Sequence, residues 1–210
     1  MASRLLYVMD PMCSWCWGFA PVVEALAEQA AAAGVPLQIV AGGLRCDQMA
    51  VDAAARVRYL SYWQAVNAST GQLFDFDRGL PEGFVYDTEP ACRALVTARN
   101  LDALSAWTLL KLIQRAFYTE GVDVTQASVL VQLAEQAGVP RIEFAEAFDS
   151  LAMQEATAAD FAWVQDLGIA GFPTLLAERD GQLALLTNGY QPLEALSPLL
   201  GRWLERAAHA

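Results

Sequence analysis

Basic residues and histidine are scarce in this chain of 210 residues, and each scarcity excludes a class of partner. The chain has 13 Lys and Arg against 24 Asp and Glu, which gives a formal net charge of −11. That balance repels phosphate backbones and acidic membrane surfaces, so we expect neither nucleic acid nor a membrane as partner. The one histidine, His209, is the residue before the last, where we expect a frayed terminus and a poor candidate for a metal ligand.

Long apolar runs are also missing, although the chain is 55% hydrophobic and contains six tryptophans. No window reaches the roughly 18 apolar residues that a membrane span needs, so we expect a soluble, globular protein. The first nine residues form only a short apolar run, which Asp10 interrupts, and no A-x-A-like cleavage site follows. We therefore expect no signal peptide, a complete chain and a cytoplasmic location. Structural disulfides are uncommon there, so the four cysteines are predicted to serve chemistry or burial.

The first forty residues show a strand, a helix and a second strand. Residues 5–9 form a short apolar run that ends at Asp10-Pro11, and the proline keeps the chain extended. Apolar residues then recur at helical spacing from about Cys13 to Ala33, and residues 37–41 read as another strand. This order predicts a βαβ unit, whose right-handed crossover makes the two strands parallel.

Beyond Gly42-Gly43 the pattern changes, because helical periods dominate as far as about Thr157 and almost no strand signal is present. The clearest predicted helices cover residues 89–98, 103–118, 126–136 and 142–151. They are followed by a helix at 158–166, by strands at 175–178 and 183–187 around a hairpin turn, and by a last helix at 193–206. The sequence thus predicts an α/β thioredoxin fold (βαβ…αββα), from residues 1–43 and 158–210, with residues 44–157 as an inserted all-helical domain.

Cys13-Ser14-Trp15-Cys16 opens the first helix and predicts a redox centre. Its spacing puts two sulfurs on adjacent turns of one helix face, where they can cycle between dithiol and disulfide. The unpaired N–H groups and the positive end of the helix dipole favour a thiolate at Cys13, which is therefore the predicted nucleophile. Cys16, one turn deeper, is the predicted resolving thiol.

A zinc half-site and a pair of buried structural cysteines are the alternatives for this motif. Zinc needs further ligands, and the chain offers only His209 and the single cysteines Cys46 and Cys92. We therefore predict no metal site. Cys46 and Cys92 are expected to be buried fillers of the core.

Three further features are predicted to belong to the site. Pro173 lies between a helix and a strand, where the thioredoxin fold places a cis-proline beside the CxxC motif. We therefore expect it to be cis and to leave the Phe172 backbone N–H and C=O ready for an extended substrate; the alternative is a trans proline at the first residue of a strand. Asp10 is a candidate acid or base for Cys16, or it only orders the Asp10-Pro11 turn. Met12, Trp15 and Phe172 are expected to form an exposed apolar surface that binds substrates.

Three blocks of the chain resemble the DsbA-like thiol-disulfide oxidoreductases of the thioredoxin fold, in particular the cytoplasmic FrnE-type subgroup often labelled protein disulfide isomerase. The blocks are residues 7–18 (YVMDPMCSWCWG), 116–124 (AFYTEGVDV) and 167–174 (LGIAGFPT). The resemblance implies disulfide exchange on protein substrates, with Cys13 attacking, Cys16 resolving and Pro173 cis. No tightly bound cofactor is implied; glutathione or a reductase would reset the pair.

The motif departs from the periplasmic members, which carry Pro-His where this chain has Ser14-Trp15. An indole has no charge to stabilise a thiolate, so we expect a less oxidising couple. A sister group, the glutathione-dependent isomerases and kappa-type glutathione transferases, is the alternative family; its members generally carry serine where this chain has Cys13. A chaperone module that only holds peptides is a third, non-catalytic interpretation.

Overall fold

The computed structural model describes residues 3–208, so His209 lies outside the described part of the chain. Its strands and helices alternate in a mixed α/β order, with most of the helices grouped in the middle of the sequence. In chain order the elements are β1 (Ser3–Met9), α1 (Ser14–Ala32), β2 (Leu37–Ala41), β3 (Cys46–Ala50), α2 (Ala53–Thr70), β4 (Val85–Asp87), α3 (Glu89–Leu101), α4 (Ala103–Glu120), α5 (Ala127–Gln136), α6 (Arg141–Phe148), α7 (Leu151–Asp166), β5 (Thr174–Arg179), β6 (Gln182–Asn188) and α8 (Leu193–Ala208).

Four strands form the central sheet in the order β2-β1-β5-β6. The β1 and β2 strands are parallel, with Leu5 opposite Leu37, whereas β5 pairs antiparallel with β1 and β6. Asp180 and Gly181 have φ values of 51° and 79° in the turn between β5 and β6, the positive values that a tight hairpin turn requires. This arrangement confirms the predicted α/β thioredoxin fold with a helical insertion.

The inserted region is not all helical, and here the prediction was wrong. Strands β3 and β4 form a separate two-stranded antiparallel sheet. The pattern gave no strand signal because β3 is mostly exposed and has no alternation of apolar and polar residues. Helix α2 was not predicted as a distinct element either.

The predicted helices at 142–151 and 158–166 correspond to α6 and the longer α7. Ser150 separates α6 from α7, because its side chain accepts a hydrogen bond from the Met153 N–H and caps the second helix. Helix α7 runs without interruption across residue 157, where the sequence placed a domain boundary. The division into two domains stays a prediction.

The main core lies between the sheet, α1 and the inserted helices, and it surrounds the amino-terminal end of α1. Phe19 and Leu26 of α1 share this core with Trp63 of α2 and Phe117 and Tyr118 of α4, and each of these side chains is at most 1% exposed. Burial of side chains this large stabilises the fold by about 1.5–3 kcal/mol each. The redox motif is therefore anchored on a rigid helix.

An ion pair ties the inserted helices to the end of β2. Asp160 of α7 accepts hydrogen bonds from both terminal guanidinium nitrogens of Arg99 on α3, at 2.8 and 3.1 Å, and from the Ala41 N–H at 2.9 Å. These contacts hold the last residue of β2 just before the loop that borders the site. None of the helices described between residues 3 and 208 combines the length and the apolar character of a transmembrane span.

Candidate active site

Cys13 is the N-cap residue of α1. The chain turns after β1 through a hydrogen bond from the Cys13 N–H to the Asp10 carbonyl at 3.1 Å, and Cys13 keeps an extended backbone with φ −86° and ψ 117°. The N–H groups of the first helical turn have no partner within the helix, and that turn contains no acidic side chain. The local field therefore favours negative charge at the Cys13 sulfur.

The loop before β5 places the Phe172 backbone against this sulfur. The Phe172–Pro173 peptide bond is cis, and the Phe172 carbonyl oxygen lies 3.6 Å from Cys13 Sγ. Gly42, just after β2, allows the approach of the Phe172 ring, because a Cβ there would lie 2.2 Å from Phe172 Cζ. Sequence reasoning did not single out Gly42 for this role, since the contact joins segments 130 residues apart.

Cys16 lies one turn deeper and has no exposed surface, whereas Cys13 is 6% exposed; both are free thiols. Burial raises the pKa of Cys16 well above its ordinary value, and the neighbouring Cys13 and the Asp10 charge raise it further. A backbone hydrogen bond at Asp10 opposes this shift without cancelling it. A substrate can therefore meet Cys13 first, and Cys16 must lose a proton before it can act.

Asp10 is fully buried and accepts four hydrogen bonds from three parts of the chain. The donors are the backbone N–H groups of Met12 (2.8 Å) and Leu44 (2.7 Å), the Thr88 hydroxyl (2.6 Å) and the Cys92 thiol (3.3 Å). Burial still raises the pKa of Asp10, although these four contacts lower it. Asp10 thus orders its own turn and also lies beside Cys16, so the geometry is compatible with both predicted roles.

Two predictions about side-chain exposure need correction. Met12 is fully buried, and its carbonyl accepts a 2.6 Å hydrogen bond from the Tyr86 hydroxyl, so it is not part of a substrate surface. Cys46 is exposed on β3 and is not a core filler, whereas Cys92 is buried but makes a polar contact with Asp10. Among residues 3–208, no three His, Cys, Asp or Glu side chains are grouped so that they could hold a metal ion.

A cleft of about 380 Å³ opens beside Cys13. Most of its walls are aromatic, and they bring together side chains from both ends of the thioredoxin fold and from the insertion: Trp15, Tyr59, Tyr62, Trp63, Tyr86 and Phe172. Trp15 and Phe172 are partly exposed here, and the Trp15 ring packs on Tyr190 with the centroids 5.9 Å apart. This cleft provides an apolar surface next to Cys13, with Met12 absent from it.

Arg45 is the one charged side chain among the described residues that line the cleft. Its guanidinium carbon lies 5.0 and 5.3 Å from the ring centres of Tyr59 and Tyr86, and it pairs with Asp47 at 2.8 Å. Its side chain is 34% exposed. Sequence reasoning missed Arg45 and the tyrosines, because they lie in the inserted region and carry no motif. Their place in the cleft depends on a tertiary contact with α1.

The chain matches known proteins over almost its whole length. The DSBA-like thioredoxin domain family matches residues 4–201. A solved structure from Nitrosomonas europaea, described as a "putative protein disulfide isomerase", is 40% identical, covers 98% of this chain and 99% of its own, and superposes with a TM-score of 0.90. The cytosolic disulfide reductase DsbM from Pseudomonas aeruginosa is 31% identical and superposes with a TM-score of 0.76. The match covers 95% of this chain and 98% of the DsbM chain.

DsbM has also been solved with GSH, at 30% identity to this chain and the same TM-score of 0.76, over 95% of this chain and 98% of the other. A more distant relative is the ClpXP adapter protein SpxH of Halalkalibacterium halodurans, 22% identical over 94% of this chain and 68% of its own length. The fold, the paired cysteines and these matches define a thioredoxin-fold redox protein. The chain belongs to the DSBA-like thioredoxin domain family, the family of DsbA-like thiol-disulfide oxidoreductases.

Proposed function

We propose that this protein exchanges disulfide bonds in protein substrates, as a protein disulfide isomerase or reductase in which Cys13 attacks and Cys16 resolves. One observation carries the proposal: Cys13 Sγ borders an open aromatic cleft, whereas Cys16 is sealed one helical turn behind it. The Phe172 carbonyl, 3.6 Å from Cys13 Sγ, would align an extended segment of the substrate across the sulfur.

The exchange proceeds in two displacements. The Cys13 thiolate attacks a substrate disulfide, so that one substrate sulfur leaves as a thiolate and the other stays joined to Cys13. The Cys16 thiolate then attacks Cys13 Sγ and releases the second substrate thiolate. The substrate gains two electrons and the Cys13–Cys16 pair loses them. If a different substrate thiolate attacks the mixed disulfide first, the substrate is isomerised and the enzyme stays reduced.

Glutathione is the thiol that we propose for returning the oxidised pair to the dithiol. Two molecules supply the two electrons and leave as glutathione disulfide. The cleft beside Cys13 has the volume and aromatic lining of a small-molecule site, and Arg45 could pair with a glutathione carboxylate. DsbM has been solved with GSH, which supports this assignment, and its cytosolic origin supports our proposal of a cytoplasmic location.

Replacing Cys13 tests the function directly. The Cys13→Ser variant should lose glutathione-driven reduction of insulin and refolding of scrambled ribonuclease. Cys46→Ser, a matched control at an exposed cysteine outside the cleft, should keep wild-type rates. Turnover by Cys13→Ser would contradict the proposal. It would favour a glutathione-dependent isomerase if a small molecule were converted, or a chaperone if only peptide holding persisted.

A further inference from the structure

Strand β1 presents a buried tyrosine hydroxyl without a hydrogen-bond partner just behind the cysteine pair. Tyr7 is 1% exposed, and its ring packs on Phe19 with the centroids 6.1 Å apart. Tyr7 and Cys16 belong to the same buried core, and the hydroxyl lies near the Cys16 sulfur without a hydrogen bond to it. Burial, followed by the charges of Cys16 and Cys13, raises the pKa of Tyr7 well above its ordinary value. An unpaired buried hydroxyl is unfavourable, which points to a partner formed during the reaction.

A small cavity continues from Tyr7 toward the surface between α1 and α4. It leaves about 10 Å³ for the centre of a water molecule, close to the lower limit for holding one. Gln114 of α4 also lines this cavity, and its buried Nε2 has no hydrogen-bond partner among the described residues. Lys111 forms part of the wall and pairs at 2.8 Å with Glu24, and both of these side chains are nearly half exposed. A water here would have Tyr7 and Gln114 beside it and would lie near solvent.

We propose that the Tyr7 hydroxyl donates a hydrogen bond to the Cys16 thiolate in the resolving step, and that the Cys16 proton leaves through a water in this cavity. The inference rests on the proposed function. In the mixed disulfide, the Cys16 thiol passes its proton to the Tyr7 oxygen while Tyr7 passes its own proton to the water. Tyr7 therefore stays neutral and its new O–H points at the Cys16 sulfur. That sulfur then attacks Cys13 Sγ, one S–S bond forms, one breaks, and the departing thiolate is protonated by solvent.

Apart from a backbone hydrogen bond at Asp10, the other groups around Cys16 do not stabilise its negative charge. Asp10 at the end of β1 and Cys13 on α1 both raise the Cys16 pKa. The charges of both sulfurs raise the pKa of Tyr118 on α4, but its hydroxyl forms no hydrogen bond with either of them. Within the described residues no cation is among the main influences on Cys16. Tyr7 is thus the neutral side-chain donor placed to stabilise the thiolate.

The reaction of the reduced protein with Ellman's disulfide tests this role, because each step releases one coloured thiolate. Attack by Cys13 releases the first, and resolution by Cys16 releases the second. Tyr7→Phe removes only the hydroxyl, so the first phase should keep its rate. The second should slow by about tenfold or more, as expected for loss of a hydrogen bond to a charged group, and its pH midpoint should rise by about one unit.

Tyr118→Phe is the matched control, since it removes another buried, unpartnered hydroxyl in the same core; both phases should stay within about twofold of wild type. Gln114→Leu should slow the second phase without moving its pH midpoint, because it alters the route of the proton and not the thiolate. A second phase in Tyr7→Phe that matches wild type in rate and pH midpoint would overturn the inference, as would equal slowing of both phases. If wild type itself released only one thiolate, the proposed function would fail instead.

Discussion

Replacing Asp10 by asparagine separates the charge of this buried group from its shape. In the wild type, Oδ2 accepts from Leu44, Thr88 and Cys92, and Oδ1 accepts from the Met12 N–H. An amide has one acceptor oxygen, so it can keep the three contacts of Oδ2 only by turning its NH₂ toward the Met12 N–H. One buried donor then lacks a partner, and we expect Asp10→Asn to reduce the unfolding free energy by about 1–3 kcal/mol near neutral pH.

The loss should depend on pH, with a sign set by the Asp10 pKa. Burial raises that pKa in the folded protein above the value of about 3.9 expected in the unfolded chain. The folded state therefore binds the proton more tightly. The stability that this tighter proton binding gives the folded protein is fully present below about pH 3.9. It is lost as the pH rises through the folded-state pKa of Asp10. Asparagine does not titrate, so the excess stability of wild type over Asp10→Asn should shrink as the pH rises above about 3.9.

Urea unfolding followed by tryptophan fluorescence between about pH 3 and pH 8 measures this difference. Asp102→Asn provides a control of opposite sign, because the Ser105 hydroxyl and the Leu104 N–H lower the Asp102 pKa at the start of α4. The stability due to Asp102 should be present above about pH 3.9 and lost as the pH falls through the lowered folded-state value. A wild-type advantage over Asp10→Asn that is constant or grows with pH would refute the reasoning.

Two other substitutions and a labelling experiment test the surroundings of Cys13. Arg45→Gln should raise the KM for glutathione by roughly three- to tenfold with little change in kcat, since it removes one partly exposed cation. Gly42→Ala should displace the Phe172 ring, slow insulin reduction and lower the unfolding free energy by about 1–3 kcal/mol. Iodoacetamide applied to the folded protein should label the exposed Cys46 and spare the buried Cys92, as peptide mass spectrometry would show.

Matched variants make these outcomes interpretable. Arg58 also lies over the Tyr59 ring, at 5.4 Å, but is outside the cleft, so Arg58→Gln should leave the KM for glutathione unchanged. A Cβ at Gly201 would come no closer than 3.6 Å to the atoms around it, so Gly201→Ala should be tolerated. Equal effects in Arg45→Gln and Arg58→Gln would rule out a specific carboxylate site. A wild-type rate in Gly42→Ala would show that the Phe172 ring position is unimportant.

The central sheet was predictable because its strands carry their own signals. The apolar run of β2 is bounded by Pro36 and Gly42, and the predicted residues 37–41 are those observed. The turn at Asp180-Gly181 has the residue types that its positive φ values require. By contrast, β3 is exposed and pairs only with the three residues of β4, so neither strand has an apolar period. A pattern based on burial cannot detect such a strand.

The residues of the site also fall into those that local sequence predicts and those that it does not. Cys13 is the N-cap of α1 and Cys16 lies three residues further along, so local geometry is enough to suggest their chemistry. The partners of Asp10 lie as far as 82 residues along the chain, and Arg45 reaches the cleft only because the inserted region packs on α1. Met12 misled the prediction because its position in the turn predicts exposure, whereas Tyr86 and the inserted helices cover it. Tertiary contacts of this kind leave no trace in spacing or composition.

Trapping the mixed disulfide tests most directly whether Cys13 is the nucleophile and Cys16 the resolving thiol. The Cys16→Ser variant, treated with glutathione disulfide at neutral pH and digested under acid conditions, should carry one glutathione on Cys13 that persists, because no second sulfur can release it. Wild type treated in the same way should carry the Cys13–Cys16 disulfide and no adduct at Cys13. A stable adduct on Cys46 alone, or an unmodified Cys13 in Cys16→Ser, would contradict the account.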